Sequence, residues 1–299
     1  MVKRKNQPFI YLFILLVLSA LFFLLLRKEA SEQARQPIIT DHFNDQWAMQ
    51  DLWIDGKAEV ALYKAERIVY GKVRHFEYAY ILVKETFNRE FNVKTDDYDR
   101  DDLFDVMKVN KFARIETDNY PYHYLTSLFF LRDDPVSLYK LTNGSQEWCG
   151  NTFKHIDDEN INYVYYYDSY FDQEGRGTMS LPGEILFEDQ LSYSLRTLNF
   201  SEDMKFSYPI VATLVTNRVK KPVIYKGTIS VNQASDTIHA DQPYTPDLLW
   251  KVAVQLEENK KNSYWFTKEY PNYLVKMKAW DGRKLLLESL KREAYWMSE

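Results

Sequence analysis

Residues 76–87 read Phe-Glu-Tyr-Ala-Tyr-Ile-Leu-Val-Lys-Glu-Thr-Phe, and this stretch decides the fold class. The uninterrupted apolar run from Ala79 to Val83 is the mark of a buried strand. Upstream, residues 57–63 alternate, with Ala58, Val60 and Leu62 on one face and Lys57, Glu59 and Ala61 on the other. Downstream, strand signals recur over residues 104–116, 122–131, 138–141, 147–156 and 161–171, then 206–216, 223–231, 250–256, 264–269, 273–280 and 284–292. Turn compositions separate them: Asp118-Asn119-Tyr120-Pro121, Asn143-Gly144, Asp157-Asp158-Glu159-Asn160 and Asp281-Gly282. One segment breaks the pattern. Phe187, Leu191, Leu195 and Leu198 recur at helical spacing over residues 184–198, with Ser180 and Pro182 ahead of them.

The expected architecture is therefore mainly β. It is a large, mostly antiparallel sheet, extended or curled into a half-barrel, with one or two short helices and a single transmembrane helix in front. Short connections between consecutive strands favour antiparallel pairing. Residues 234–246, rich in polar residues and proline, are the best internal boundary, but they do not divide the domain.

Residues 8–26, PFIYLFILLVLSALFFLLL, are uncharged and mostly apolar. At about 1.5 Å per residue they make a rod of roughly 28 Å, close to the hydrocarbon thickness of a bilayer. The run is longer than the apolar region of a secretory signal, and Arg27-Lys28-Glu29 follows it directly. It reads as an uncleaved anchor. Lys3, Arg4 and Lys5 hold the amino terminus in the cytoplasm, although Arg27, Lys28 and Arg35 oppose them. The expected organisation is a cytoplasmic tail and anchor at 1–30, a tether at 31–45 and one exported domain at 46–299. The expected location is a membrane, crossed once, with the carboxy-terminal domain outside the cytoplasm.

Composition narrows the chemistry. The single Cys excludes an intramolecular disulfide framework and Cys-based zinc or iron–sulfur sites. Of the formal charge of −5, five basic residues and one acid fall in the first 30 residues, so the remainder carries −9. That balance leaves no basic footprint for nucleic acid. No glycine-rich phosphate loop, HExxH helix or GxSxG elbow is present. His42, His75, His123, His155 and His239 stand more than ten residues apart, which supports no metal site. The acidic run at residues 95–102 lacks the glycine of a twelve-residue calcium loop and reads as a solvated loop. No cofactor is expected.

Ser145-Gln146-Glu147-Trp148-Cys149-Gly150 is the most distinctive string. Cys149 and His155 would stand roughly 20 Å apart on one straight strand, too far for a nucleophile and its base. Cys149 is thus expected to be buried and structural. Counting back from a turn centred at 158–159 sets Trp148 opposite 169–170. This places Trp53, Trp148 and Tyr170 together in one core, where Trp148→Ala would cost on the order of 3–5 kcal/mol. Two tyrosine rows remain. Tyr122 and Tyr124, with Tyr165 and Tyr167, are the residues expected to line a ligand groove, while at least one row packs on the core.

Several strings together resemble a family of uncharacterised exported bacterial proteins, many of them lipoproteins, found in Bacteroidetes-like genomes. They are Trp53-x-Asp55-Gly56-Lys57-Ala58-Glu59-Val60, Tyr70-Gly71, Ile81-Leu82-Val83-Lys84-Glu85, Tyr120-Pro121-Tyr122, Thr126-Ser127, the Ser145–Gly150 string and Ser169-Tyr170-Phe171. The resemblance spans residues 53 to 171 and implies an exported, sheet-rich protein with no assigned reaction. Some members carry a septum-formation-inhibitor label of the Maf type. The serine- and arginine-rich phosphate motif of that enzyme class has no counterpart here, and no Cys follows the apolar span as it would in a lipoprotein.

The leading expectation is a membrane-anchored, non-catalytic binding protein facing the envelope. Residues 8–26 hold the bilayer, and the ligand is an amphiphile or an envelope partner. The competing readings are a glycan hydrolase using a carboxylate pair such as Glu147 and Asp168, and an envelope scaffold that adds strands at its sheet edge.

Overall fold

The computed structural model describes Ser19, residues 41–234 and residues 249–297. The chain divides into residues 1–36 and residues 37–299. The span at 8–26 lies, apart from Ser19, outside the described residues. Among the described residues no helix is long and apolar enough to cross a membrane.

Among the described residues, 41–234 and 249–297 build one sheet of 16 strands. They are β1 (Ala58–Val69), β2 (Lys72–Asn88), β3 (Val93–Lys94), β4 (Leu103–Ile115), β5 (Tyr122–Leu131), β6 (Lys140–Glu147), β7 (Gly150–Asp158) and β8 (Asn162–Asp168). They continue with β9 (Arg176–Pro182), β10 (Leu186–Phe187), β11 (Lys205–Val211), β12 (Ile224–Ala234), β13 (Leu249–Glu257), β14 (Lys260–Thr267), β15 (Leu274–Lys278) and β16 (Lys284–Glu293). The order is β10-β11-β12-β13-β14-β15-β16-β1-β2-β4-β5-β6-β7-β8-β9, with β3 on the end of β2. Nearly every neighbour is antiparallel, and only β10 and β11 run parallel.

The stretch around Ala79–Val83 lies in the middle of β2, which pairs with β1 over Glu59–Leu82 to Val69–Lys72 and with β4 on its other side. The β1–β2 turn is Tyr70-Gly71, both at positive φ (53° and 72°). A two-residue turn with both φ positive matches the right-handed twist of the strands it joins.

The terminal strands in this order, β9 and β10, are consecutive in the chain, separated only by residues 183–185. The sheet must therefore curl back toward itself. Gly183 sits where it does so: a Cβ there would come within 2.1 Å of the Ile161 carbonyl oxygen. Loop 212–223 ties the seam. Lys154 on β7 donates to the carbonyls of Leu214 and Thr216 at 2.6 and 2.8 Å, and the Val219 amide donates to Glu174 at 2.7 Å.

The segment read as a helix fills the curl. Residues 188–197 form a 3₁₀ turn (Glu188–Gln190), one α turn (Leu191–Ser194) and a second 3₁₀ turn (Leu195–Thr197). Leu191, Leu195 and Leu198 pack with β1 and β12–β16, as the stripe predicts. Phe187 and Tyr193 pack the opposite way, on β4, β5 and β8. A segment encircled by sheet has no solvent face, so its polar residues need partners inside. Gln190 accepts from the Phe187 amide and donates to the Val136 carbonyl and to Ser194 Oγ. Arg196 pairs with Glu59.

Several local expectations are corrected. Asn143-Gly144 is not a turn: both lie inside β6, paired to β5 and β7, and Asn143 donates to Thr126 Oγ1 at 2.8 Å. Continuous pairing on both edges outweighs the local preference of that dipeptide. The hairpin instead turns at Trp148-Cys149, between the paired residues Glu147 and Gly150. The β7–β8 loop centres two residues later than expected, since Asp158 pairs with Tyr163 and Asn160 has φ of 67°. Residues 176–182, where no element was read, form β9. Phe43, within the stretch read as a tether, is buried and bridges to Leu198.

Candidate ligand cleft

Antiparallel order sends the β1–β2, β4–β5, β6–β7, β8–β9 and β11–β12 connections to one end of the curled sheet. Together they surround a cleft of about 500 Å³. Alternation along β5 turns Tyr122 and Tyr124 inward, with their rings stacked at 6.3 Å and 11°. Tyr120 continues the row 5.7 Å from Tyr122, and Trp148 at the hairpin tip stacks on Tyr120 at 5.8 Å and 20°. Tyr70 closes the row from the β1–β2 turn, its hydroxyl hydrogen-bonded to that of Tyr122.

Cations frame this aromatic row. Arg67 lies over the Tyr124 ring at 4.9 Å and donates to the Val215 carbonyl at 2.6 Å. Arg218 lies over Phe171 at 3.2 Å and within 3.5 Å of Glu174. Lys220 lines the same wall. Glu147 also lines the cleft and accepts from the Asn217 side chain at 3.0 Å. The hydrogen bond with Cys149 pushes the Tyr120 hydroxyl up to about 12, and burial raises those of Tyr122 and Tyr124. All three are neutral donors at physiological pH.

Beyond Arg67 and Tyr124, which line both spaces, lies an inner chamber of about 50 Å³, room for a few water-sized groups. Lys111, on the inward face of β4 between Val109 and Ala113, is 4% exposed. Its ammonium donates to the Asp189 carbonyl and to Ser192 Oγ, both at 2.6 Å, and lies 4.7 Å over the Tyr80 ring. Burial pushes it down to about 7, with Asp189 opposing the shift. Burial likewise raises Tyr78 to about 12 and holds Tyr80 well above its ordinary value. The Asp189 carboxylate accepts from Thr213 Oγ1 and the Leu214 amide, and Glu188 is held by Asn262 and Arg283.

No protein-family model matches the chain, and no curated protein matches it. Among solved structures, the chain is similar to a β-barrel-like protein of the domain of unknown function DUF1849 from Brucella abortus. The two share 11% identity and a TM-score of 0.47 over 79% of this chain and 97% of that one.

Of the residues expected to line a groove, Tyr122 and Tyr124 are in the cleft; Tyr165 and Tyr167 are not among its lining residues. Tyr165 is buried beside a separate recess of about 120 Å³ near Lys154, and Tyr167 lies against Gly177. The expected Trp53, Trp148 and Tyr170 core does not form. Trp53 is 2% exposed beside Trp47, whereas Trp148 is 78% and Tyr170 58% exposed. The later β7–β8 turn sets Phe153 opposite Asp168, so that Tyr170 packs over Gly150 rather than against Trp148. Cys149 is exposed, not buried, with Tyr120 Oη at 3.4 Å from its Sγ. Glu147 and Asp168 are not joined: Asp168 is exposed beside Arg176. Among the described residues no group of three acidic, His or Cys side chains could hold a metal.

Lys111 and Arg67 were missed in the sequence, although a lysine on the apolar phase of a strand is itself a signal of buried polar structure. Two expected results follow from the hairpin tip. Trp148→Ala should change stability by less than about 1 kcal/mol, as a surface substitution does; a loss of 3 kcal/mol in urea unfolding would contradict the exposed placement. Cys149 should react with a maleimide in the native protein at the rate of an open thiol, and full protection until denaturation would contradict it.

Proposed function

We propose that this chain is a membrane-anchored binding protein without catalytic activity of its own, placed in the bacterial envelope with residues 37–299 on the periplasmic side. Its ligand is an amphiphile held in the cleft at the end of the curled sheet. The observation that carries this reading is the cleft itself: about 500 Å³, the scale of a small-molecule site, with five aromatic side chains and three cations converging on it. The apolar run at 8–26, with its basic flanks, supports the anchor. The hydrolase reading has no such support, because each of its two carboxylates already has a partner, Asn217 for Glu147 and Arg176 for Asp168.

The test is native mass spectrometry of the full chain extracted from its own host. A retained adduct in the mass range of a small amphiphile, lost in a Tyr122→Ala, Tyr124→Ala double variant, is the expected result. A clean apo mass from gently extracted protein would count against the reading. A reporter fused after Glu299 should be active only outside the cytoplasm, and intact mass should retain residues 8–26.

A further inference from the structure

Two cations face the space that joins the cleft to the inner chamber, and among the described residues neither has a carboxylate partner. Arg67 bonds to a backbone carbonyl and stacks on Tyr124. Lys111 bonds to a backbone carbonyl, a serine hydroxyl and the face of Tyr80. Their neighbours are arranged otherwise. Arg283 is paired with Glu188 and Asp281, and Lys284 with Glu66. The Asp189 carboxylate is turned to Thr213 and Leu214 instead of Lys111. Lys111 is taken out of water with no carboxylate hydrogen-bonded to it, and an anion brought between it and the half-buried Arg67 is correspondingly favoured.

The chamber also sets a size. At about 50 Å³ it admits a compact planar group but not a sugar or a bulky headgroup. The row of tyrosines outside it, open at Tyr70 and Tyr120, suits an apolar body of modest length.

Resting on the binding reading above, we propose that the ligand is a monocarboxylate amphiphile: its carboxylate enters between Arg67 and Lys111, and its apolar body lies along Tyr124, Tyr122 and Tyr120. Arg67 supplies the directional contact, since its guanidinium already stands at the boundary of the two spaces. Lys111, which holds its proton once the carboxylate stands beside it, supplies the buried charge at the far end. The mouth residues need contribute no charge.

The test is calorimetric titration of the full chain in phosphatidylcholine nanodiscs, against empty discs, with octanoate, octan-1-ol and octyl phosphate as probes. Octanoate should bind at least tenfold tighter than either of the others. Arg67→Gln and Lys111→Met should each weaken octanoate about tenfold or more while leaving octan-1-ol unchanged. Circular dichroism checks that each variant is folded. Should Lys111→Met not fold, Arg67→Gln carries the test, because that side chain is only half-buried. Equal binding of octanoate and octan-1-ol would overturn the carboxylate proposal and leave the amphiphile reading standing. Tighter binding of octyl phosphate would overturn it in favour of a larger anion. Binding of none of the three would overturn both.

Discussion

Glu59→Ala is expected to destabilise the domain by about 3–5 kcal/mol, the cost of leaving a buried charge without its partner. Glu59 on β1 and Arg196 in the inner segment meet through two charge-assisted hydrogen bonds of 2.7 and 2.9 Å. Both side chains are almost fully buried, at 7% and 6% exposure. Arg196 also donates to the Pro271 carbonyl at 3.1 Å and lies over the Trp47 and Tyr273 rings at 5.1 and 5.4 Å. Burial works against its charge, but Glu59 more than offsets this and holds the guanidinium above its ordinary value. One ion pair thus joins the inner segment, the first long strand and the β14–β15 loop. The alanine variant removes the carboxylate and leaves Arg196 enclosed by aromatic rings. Against a typical domain stability of about 5–15 kcal/mol, that loss is large. Urea unfolding of the two proteins at one pH measures it; a difference below about 1 kcal/mol would show that water reaches Arg196. The double replacement Glu59→Met, Arg196→Met should recover much of the loss, because it leaves no charge stranded.

Stability should also rise with pH across the neutral range, by about 3–5 kcal/mol between pH 7 and pH 9.5. The cause is Lys111, pushed by burial to about 7, with Lys154 pushed the same way to about 8. In the unfolded chain both ammonium groups titrate near 10.5. Below pH 7 both states of the protein carry the Lys111 proton, and the folded state bears the full burial penalty. Between 7 and 10.5 the folded state has released the proton while the unfolded state still binds it. Raising the pH therefore favours folding, and lowering it through 7 removes the gain. Above about pH 10 the trend reverses. Tyr63 and Tyr78 are raised by burial and stay protonated when folded, whereas unfolded tyrosines ionise. Unfolding free energies measured from pH 6 to 9.5 check this, and Lys111→Met should flatten most of the slope. A flat wild-type profile would mean that Asp189 and Ser192 hold the ammonium charged throughout.

The strand content was legible because alternation is local. Residues 122–131 were read as a strand at the bounds the structure has, and both tyrosines on that strand face inward as their spacing implies. Tyr163 and Tyr165 pack in the core, so Tyr165 is not in the groove where it was expected. The stripe at 184–198 pointed to the right leucines, yet only one α turn forms. A segment enclosed on every side is shaped by its partners rather than by helix propensity.

The turns were less legible. Asn143-Gly144 carries a strong hairpin preference, worth little beside the paired ladders on both its edges. That one misplacement moved Trp148 from tip to interior in expectation. Because side chains alternate and registers add, an error of two or three residues in a turn changes which residues meet across the sheet.

By itself, then, the sequence determined the class of the domain, its run of strands, the inward tyrosines of β5 and the buried leucines between β10 and β11. These depend on which face of a strand or turn each residue occupies, and neighbours two to four positions away decide that. Only the tertiary structure decided that β9 and β10 meet at a seam, that Arg67, Tyr122 and Arg218 surround one cleft, and that Lys111 lies behind it. Those residues come from four separate parts of the chain. They are brought together by the curl of the sheet and its register, which arise from the summed pairing of all the strands and are written in no single segment.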